Sequence, residues 1–442
     1  MDYKNNIAYR KETLKKLLYN IQKSEDLIVK ALYDDFKKPE FEAVLTETNY
    51  VISDLKDTIR NINKWAKPKR VLPSLLNFPS TDYIFKEPYG NVLVIAPWNY
   101  PFQLALCPLI SAVAAGNRVV LKPSELTPHT SAVIAKIIEK TFHVKHVEVI
   151  EGGVEVSNQL LAQRWDYIFF TGSVTVGKIV AKAAAENLTP VTLELGGKNP
   201  CIIDETANLK LAAKRIVWGK FINAGQTCIA PDYILVQKNM KVNFISFLIE
   251  EILKAYGKKI DKSPDFARII NTKNWVRLDS MIEREKVIFG GETDAEKNYI
   301  SPTLIEEPAL DSPVMKEEIF GPILPILTYE TEADIHNVIS RYEKPLAFYV
   351  FSENKNFAKK LITSYSFGGG CINDTVVHFS NKRLPFGGVG HSGIGAYHGQ
   401  LSFDIFSHHK AVVKKGNWLD LPMRYAPYKD KLISLKRLLN WL

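Results

Sequence analysis

Cys228 stands in Phe221-Ile222-Asn223-Ala224-Gly225-Gln226-Thr227-Cys228-Ile229-Ala230-Pro231, among small and polar residues and behind a glycine that permits a tight turn. Upstream, Glu194 ends the run Val191-Thr192-Leu193 and precedes Leu195-Gly196-Gly197-Lys198. A thiol and a lone carboxylate, each at a chain reversal, are a nucleophile and a candidate base, the pair that covalent catalysis uses. Each has a plainer reading. A free cysteine is ordinarily a small buried apolar residue, and a glutamate before Gly-Gly can simply end a strand or helix. The surrounding pattern decides between them.

Residues 4 to 66 repeat apolar positions at helical spacing (Leu14, Leu17, Leu18, Ile21; Val51, Leu55, Ile59, Ile62). Prolines 68, 73, 79 and 88 break the pattern, and Asp82 to Lys86 reads as a strand in a connector. Alternation then begins. Asn91 to Pro97 is a nearly continuous apolar strand of the kind buried on both faces of a parallel sheet. Trp98-Asn99-Tyr100-Pro101-Phe102 turns at its end, and a helix runs to Ala115. Further strands are expected at Arg118 to Lys122, His146 to Glu151, Asp166 to Phe170 and Val191 to Leu195, with a helix starting at Pro123-Ser124-Glu125. This is a doubly wound α/β pattern, whose ligands sit at the C-terminal ends of the strands. Gly172 and Gly177 in Thr171-Gly172-Ser173-Val174-Thr175-Val176-Gly177 are not a G-x-G-x-x-G, and alone they mark only a strand-to-helix turn. Lys122, at a strand end, suits a phosphate or ribose, although a lysine there is ordinarily just solvated. The alternation restarts after Gly196 and gives a second α/β domain with late loops Gly368-Gly369-Gly370 and Gly387-Gly388-Val389-Gly390.

The 442 residues exceed one ordinary core, so two large domains are expected, and 46% hydrophobic with 24% charged residues is the balance of a globular protein. A net charge of +9 permits anionic cofactors, substrates or surfaces without demanding them. The basic stretch Lys67 to Arg70 lacks stacking aromatics and any DNA-binding pattern, which argues against a nucleic-acid partner. Cys107, Cys201, Cys228 and Cys371 are scattered, with neither disulfide nor metal-ligand spacing, so no metal and a cytoplasmic setting are expected. Met1 to Asn6 shows no apolar leader core, and no apolar run is long enough to span a bilayer. In the tail, Leu432, Leu435, Leu438, Leu439 and Trp441 alternate with Lys429, Lys431, Lys436 and Arg437. Such a basic amphipathic helix fits packing on the body or a partner subunit, and peripheral membrane contact is the other reading.

Glu194-Leu195-Gly196-Gly197-Lys198 with Gly225-Gln226-Thr227-Cys228 resembles the paired active-site signatures of NAD(P)-dependent aldehyde dehydrogenases. Pro97-Trp98-Asn99-Tyr100-Pro101, Lys122-Pro123-Ser124-Glu125, Phe170-Thr171-Gly172-Ser173, Glu318-Ile319-Phe320-Gly321-Pro322 and Pro385-Phe386-Gly387-Gly388 resemble the remaining motifs, so the likeness spans nearly the whole chain. Ala230-Pro231-Asp232-Tyr233 and Gly393-Ile394-Gly395-Ala396-Tyr397-His398-Gly399 resemble class 3, the fatty and aromatic aldehyde branch.

The resemblance implies a Rossmann-type cofactor domain (residues 1–69 and 89–194), a catalytic domain (195–399), a β-strand arm for homodimerisation (70–88 and 400–414) and a tail (415–442). It implies oxidation of aldehydes to acids, with Cys228 as nucleophile, Asn99 and the Cys228 backbone N–H holding the oxyanion, and Glu194 activating water. Glu318 is expected at the nicotinamide ribose, Phe320 and Trp98 beside the ring, and Lys122 and Glu125 at the adenosine ribose. Gly172, Ser173 and Gly177 are expected at the pyrophosphate turn. A negative Glu125 near the 2′-hydroxyl repels a 2′-phosphate, so NAD is expected, with NADP possible. Three alternatives stand beside this reading. A CoA-acylating dehydrogenase of the same fold tends to lack the base, which Glu194 supplies. A cysteine hydrolase needs a histidine, and none lies near either motif. A non-catalytic protein of this fold has no need of Cys228, Glu194, Asn99 and Glu318 together.

Overall fold

The computed structural model describes residues 6–74 and 77–440, so the Met1 to Asn5 part of the leader reading, and Trp441 of the tail, lie outside it. Two mainly parallel sheets carry the site. The first runs Gly393–Ile394, Val191–Glu194, Tyr167–Thr171, Asn91–Ile95, Arg118–Lys122, Val147–Val149. Its apolar strands are buried on both faces, Val92, Leu93 and Val94 completely. Asn91–Ile95 comes first in the chain and lies mid-sheet, with the next strand on one side and Tyr167–Thr171 on the other. The winding direction therefore reverses there, and the ends of Asn91–Ile95, Tyr167–Thr171 and Val191–Glu194 open onto one crevice. Gly393–Ile394, from the span expected in the other domain, adds the antiparallel edge strand by pairing with Glu194 and Leu193.

The second sheet has the order Val287–Phe289, Thr303–Glu306, Ile323–Tyr329, Tyr233–Gln237, Pro200–Ile203, Ala347–Phe351, Gly369–Ile372. Only its first pair is antiparallel. A third, three-stranded sheet joins Lys69–Val71, Ser80–Pro88 and Ser407–Lys415, the last two in register from Ser407 opposite Pro88 to Lys415 opposite Ser80.

Three expectations need correction. The helix after Lys122 starts at Pro128, not Pro123. Its first amides, from His129 and Thr130, donate to the Asp35 carboxylate at 3.0 and 2.9 Å, a cap supplied from another helix. The arm does not begin at 400 as a strand: Gly399–Ile405 is a helix whose Phe403 is buried, and the strand starts at Ser407. Gly369–Ile372, expected within a glycine-rich loop, is the edge strand of the second sheet, and in the tail helix, Leu432–Leu439, the side chains of Leu432, Ile433, Leu435 and Leu439 are exposed. No described helix is long and apolar enough to cross a membrane.

Candidate active site

The cysteine loop follows the helix Leu209–Phe221 through three residues in the left-handed region, Asn223 (φ 55°), Ala224 (φ 52°) and Gly225 (φ 75°). Left-handed backbone costs a non-glycine residue about 1–2 kcal/mol, so the surroundings must impose this path. Hydrogen bonds do so. The Asn223 amide side chain donates to the Asn99 carbonyl at 2.9 Å, and Asn99 Nδ2 donates to the Gln226 carbonyl at 3.1 Å. Gln226 Nε2 donates to the Arg268 carbonyl and its Oε1 accepts from Ile270 N–H, both at 3.0 Å. Asn199 Nδ2 donates to the carbonyls of Cys228 (2.8 Å) and Ala230 (3.0 Å), while Tyr349 Oη donates to that of Ile229 (2.6 Å). Gly225 is obligatory here, because a Cβ would lie 2.3 Å from the Gly321 carbonyl oxygen.

Two cavities meet at the thiol. A cleft of about 600 Å³ opens at the switch point and is lined by Trp98, Asn99, Gly172, Ser173, Glu318 and Phe320, among others. A channel of about 210 Å³ approaches from the other side, with mainly apolar walls such as Tyr50, Leu104, Trp218, Ile222 and Phe379. Thr171, Glu194 and Cys228 line both. One reactant can thus reach the sulfur from each side.

Burial pushes the Cys228 thiol well above its ordinary range, and the carboxylates of Glu318 and Glu194 add to the shift. The backbone N–H groups of Cys228 and Ile229 oppose it by favouring the thiolate. Cys228 is therefore held as a thiol near the Glu194 carboxyl. Glu194 itself is buried, neither carboxylate oxygen has a hydrogen-bond partner, and desolvation holds its proton well above the usual carboxylate range. A carboxyl with nothing else to bind is free to meet a water.

The cleft fits a dinucleotide. Glu318 Oε1 is buried without a partner, an acceptor suited to ribose hydroxyls. Its pKa is raised to about 8, first by burial and then by Asp232, while the Gly197 N–H acts the other way. A Cβ at Gly196 would sit 2.1 Å from Glu318 Oε2, so a larger residue there would push the carboxylate aside. Ser173 caps the helix Val174–Glu186, whose N-terminus faces the cleft and suits a pyrophosphate. Phe320, at φ 52°, meets Trp98 edge to face at 5.2 Å between ring centres.

Lys122, Glu125 and Gly177 do not line this cleft. Lys122 Nζ pairs with Glu125 Oε2 at 2.5 Å, so Glu125 is neutralised rather than free to repel a phosphate. Gly177 lets its helix approach, because a Cβ would lie 2.6 Å from Leu195. Sequence reasoning missed Asn199, just before the strand Pro200–Ile203, and Tyr349, on the strand Ala347–Phe351, which hold the loop, and gave Lys198 no role. Lys198 pairs with Asp232 at 2.5 Å and donates to the carbonyls of Val314 (2.6 Å) and Glu317 (2.9 Å), which steadies the segment before Glu318.

The aldehyde dehydrogenase family model matches residues 3–412. The chain is 50% identical over 432 residues to 4,4'-diaponeurosporen-aldehyde dehydrogenase of Staphylococcus aureus, covering 97% of this chain and 94% of that protein. It is 44% identical to aldehyde dehydrogenase family 3 member H1 of Arabidopsis thaliana, covering 98% and 90%. Among solved structures, substrate-bound AldH of Staphylococcus aureus superposes with a TM-score of 0.97 at 49% identity, over 99% of this chain and 96% of that one. The NAD+ complex of a Bacillus cereus aldehyde dehydrogenase gives 0.84 at 27% identity, over 93% and 84%. A half-buried thiol and a buried carboxyl between an apolar channel and a dinucleotide cleft, matched along nearly the whole chain by these relatives, leave one conclusion: the chain belongs to the aldehyde dehydrogenase family and is an NAD(P)-dependent enzyme of its class 3-like branch.

Proposed function

We propose that the enzyme oxidises medium- to long-chain aliphatic or aromatic aldehydes to carboxylates. The carrying observation is the apolar channel that ends at Cys228 and Glu194, apart from the dinucleotide cleft. The ionised Cys228 attacks the carbonyl carbon. Asn99 spends one amide hydrogen on the Gln226 carbonyl and turns the other, with the Cys228 backbone N–H, to the oxyanion. The tetrahedral thiohemiacetal loses hydride and leaves a thioester on Cys228. Bound nicotinamide supplies the hydride acceptor. Glu194 takes the proton of the water that attacks the thioester, releasing the acid and the thiol.

Glu318, Phe320 and Trp98 hold the nicotinamide end, Gly172 and Ser173 the pyrophosphate, and Lys122 and Glu125 the adenosine ribose, with Gly177 allowing close helix packing. NAD is the first cofactor. The Lys122–Glu125 pair weakens the charge argument against NADP. We assign the cofactor to the half built on the six-stranded sheet and catalysis to the other half. The exposed edge strand Ser407–Lys415 supports a homodimer, and the four free cysteines support a cytoplasmic setting.

The test follows reduced cofactor by absorbance, for wild type and Cys228→Ser, with NAD and NADP. The aldehydes run from acetaldehyde to long-chain and benzaldehyde. Efficiency should rise with apolar length and vanish in Cys228→Ser. A preference for acetaldehyde refutes the substrate class, and aldehyde-dependent reduction by Cys228→Ser refutes the nucleophile.

A further inference from the structure

A short segment from the N-terminal helices reaches both halves of the catalytic centre. The chain passes from the helix Glu40–Ala43 through a wide π-helical turn, Val44–Thr48, into the helix Asn49–Trp65. On a regular α-helix, residues five apart lie about 140° apart around the axis. The wide turn closes much of that angle, so the carboxylates of Glu42 and Glu47 reach the same region. Glu42 Oε2 accepts the Asn223 backbone N–H at 2.9 Å, on the cysteine loop. Glu47 Oε2 accepts the N–H groups of Phe102 (3.0 Å) and Gln103 (2.9 Å), the first free amides of the helix that follows Asn99.

The other Glu47 oxygen accepts from Lys38 Nζ at 2.7 Å, and both side chains are completely buried. Lys38 Nζ lies 3.9 Å from the centre of the Tyr100 ring, and Tyr100 Oη is 2.7 Å from Thr227 Oγ1, next to Cys228. Asn223 and Asn99 close the circuit through their bond at 2.9 Å. A buried ion pair is seldom more stable than apolar residues of the same size. Its presence here is better explained by the geometry it enforces, with Lys38 over the Tyr100 ring and Glu47 on the first amides of the helix after Asn99, while Glu42 holds the loop that carries Cys228.

We propose that Lys38, Glu42 and Glu47 are positioning residues that hold the Asn99 amide in register with the Cys228 loop. They touch no reacting atom and act through Asn99 and Asn223. This rests on the dehydrogenase reading above. An inactive wild type would overturn that reading, while the comparison below addresses the clamp alone.

The experiment places Glu47→Gln in wild type and in Asn99→Ala and measures kcat, both KM values and the melting temperature. Glu47→Gln should lower kcat about tenfold, since small misplacements of catalytic groups are costly, and leave KM for NAD within about twofold. In the Asn99→Ala background the same change should move kcat by less than about twofold, because the residue it positions is gone. Glu42→Ala leaves the buried pair intact and carries the same comparison should Glu47→Gln fail to fold. Equal losses in both backgrounds, or an unchanged kcat, overturn the proposal.

Discussion

Replacing Glu194 by glutamine should split the reaction into its two halves. The side chain is buried and neither oxygen is hydrogen-bonded, so the substitution breaks no contact and removes only a base. Positioned bases contribute about 10²–10⁴-fold. Glu318, the other buried carboxylate in the cleft, already accepts from Gly197 N–H and is a poor substitute, which favours a loss of about 10³-fold in thioester hydrolysis. For a typical turnover of about 10 s⁻¹, the steady rate falls to about 0.01 s⁻¹. Thioester formation precedes that step and continues. Stopped-flow mixing with aldehyde and NAD should therefore show a burst of about one reduced cofactor per subunit, then a slow phase. Mass spectrometry of quenched enzyme should find the acyl group on Cys228. A slow rate without a burst would place Glu194 before the thioester, and undiminished turnover would remove it from the mechanism. Stability offers a second readout. The folded protein keeps the Glu194 proton that the unfolded chain releases above about 4.5, so wild-type stability falls as pH rises through that value. Glutamine does not titrate, and the gain in melting temperature of Glu194→Gln should grow with pH. A gain independent of pH contradicts the buried, protonated carboxyl.

Two further outcomes follow from the geometry. Glu318 ionises at about 8, and its charged form is the better acceptor for ribose hydroxyls, so kcat/KM for NAD should fall as pH drops through about 8. Glu318→Gln should flatten that profile, and an unchanged profile would count against its role. Gly225→Ala places a Cβ 2.3 Å from the Gly321 carbonyl oxygen, at a φ of +75° that costs alanine about 1–2 kcal/mol. With the nucleophile loop displaced, kcat should fall about 10²-fold, and a wild-type kcat would show that the loop accommodates the change.

The fold class was legible in local pattern, and so were the candidates for nucleophile and base. Apolar runs followed by turn residues announced the five parallel strands of the first sheet and the central four of the second, because a strand buried on two faces must be apolar throughout, while the edge strands lack that run. Glu194 and Cys228 each have a plain structural reading, and they stood out because the motifs around them point the same way. The start of the helix at Pro128 was not legible, since its cap is Asp35, far away in the chain. Nor were Asn199, Tyr349 and the Lys38–Glu47 pair, because an asparagine, a tyrosine or a lysine carries no sign of its tertiary partner.

The sequence by itself thus determined the α/β alternation, the switch-point loops and the candidates for the groups proposed to react, all properties of residue type and short-range spacing. Only the tertiary structure decided that Glu194 lies unpartnered in an apolar site, that Lys122 neutralises Glu125, and that an apolar channel and a dinucleotide cleft meet at one sulfur. Burial, charge pairing and cavity shape depend on atoms brought together from distant parts of the chain, and no local pattern encodes them.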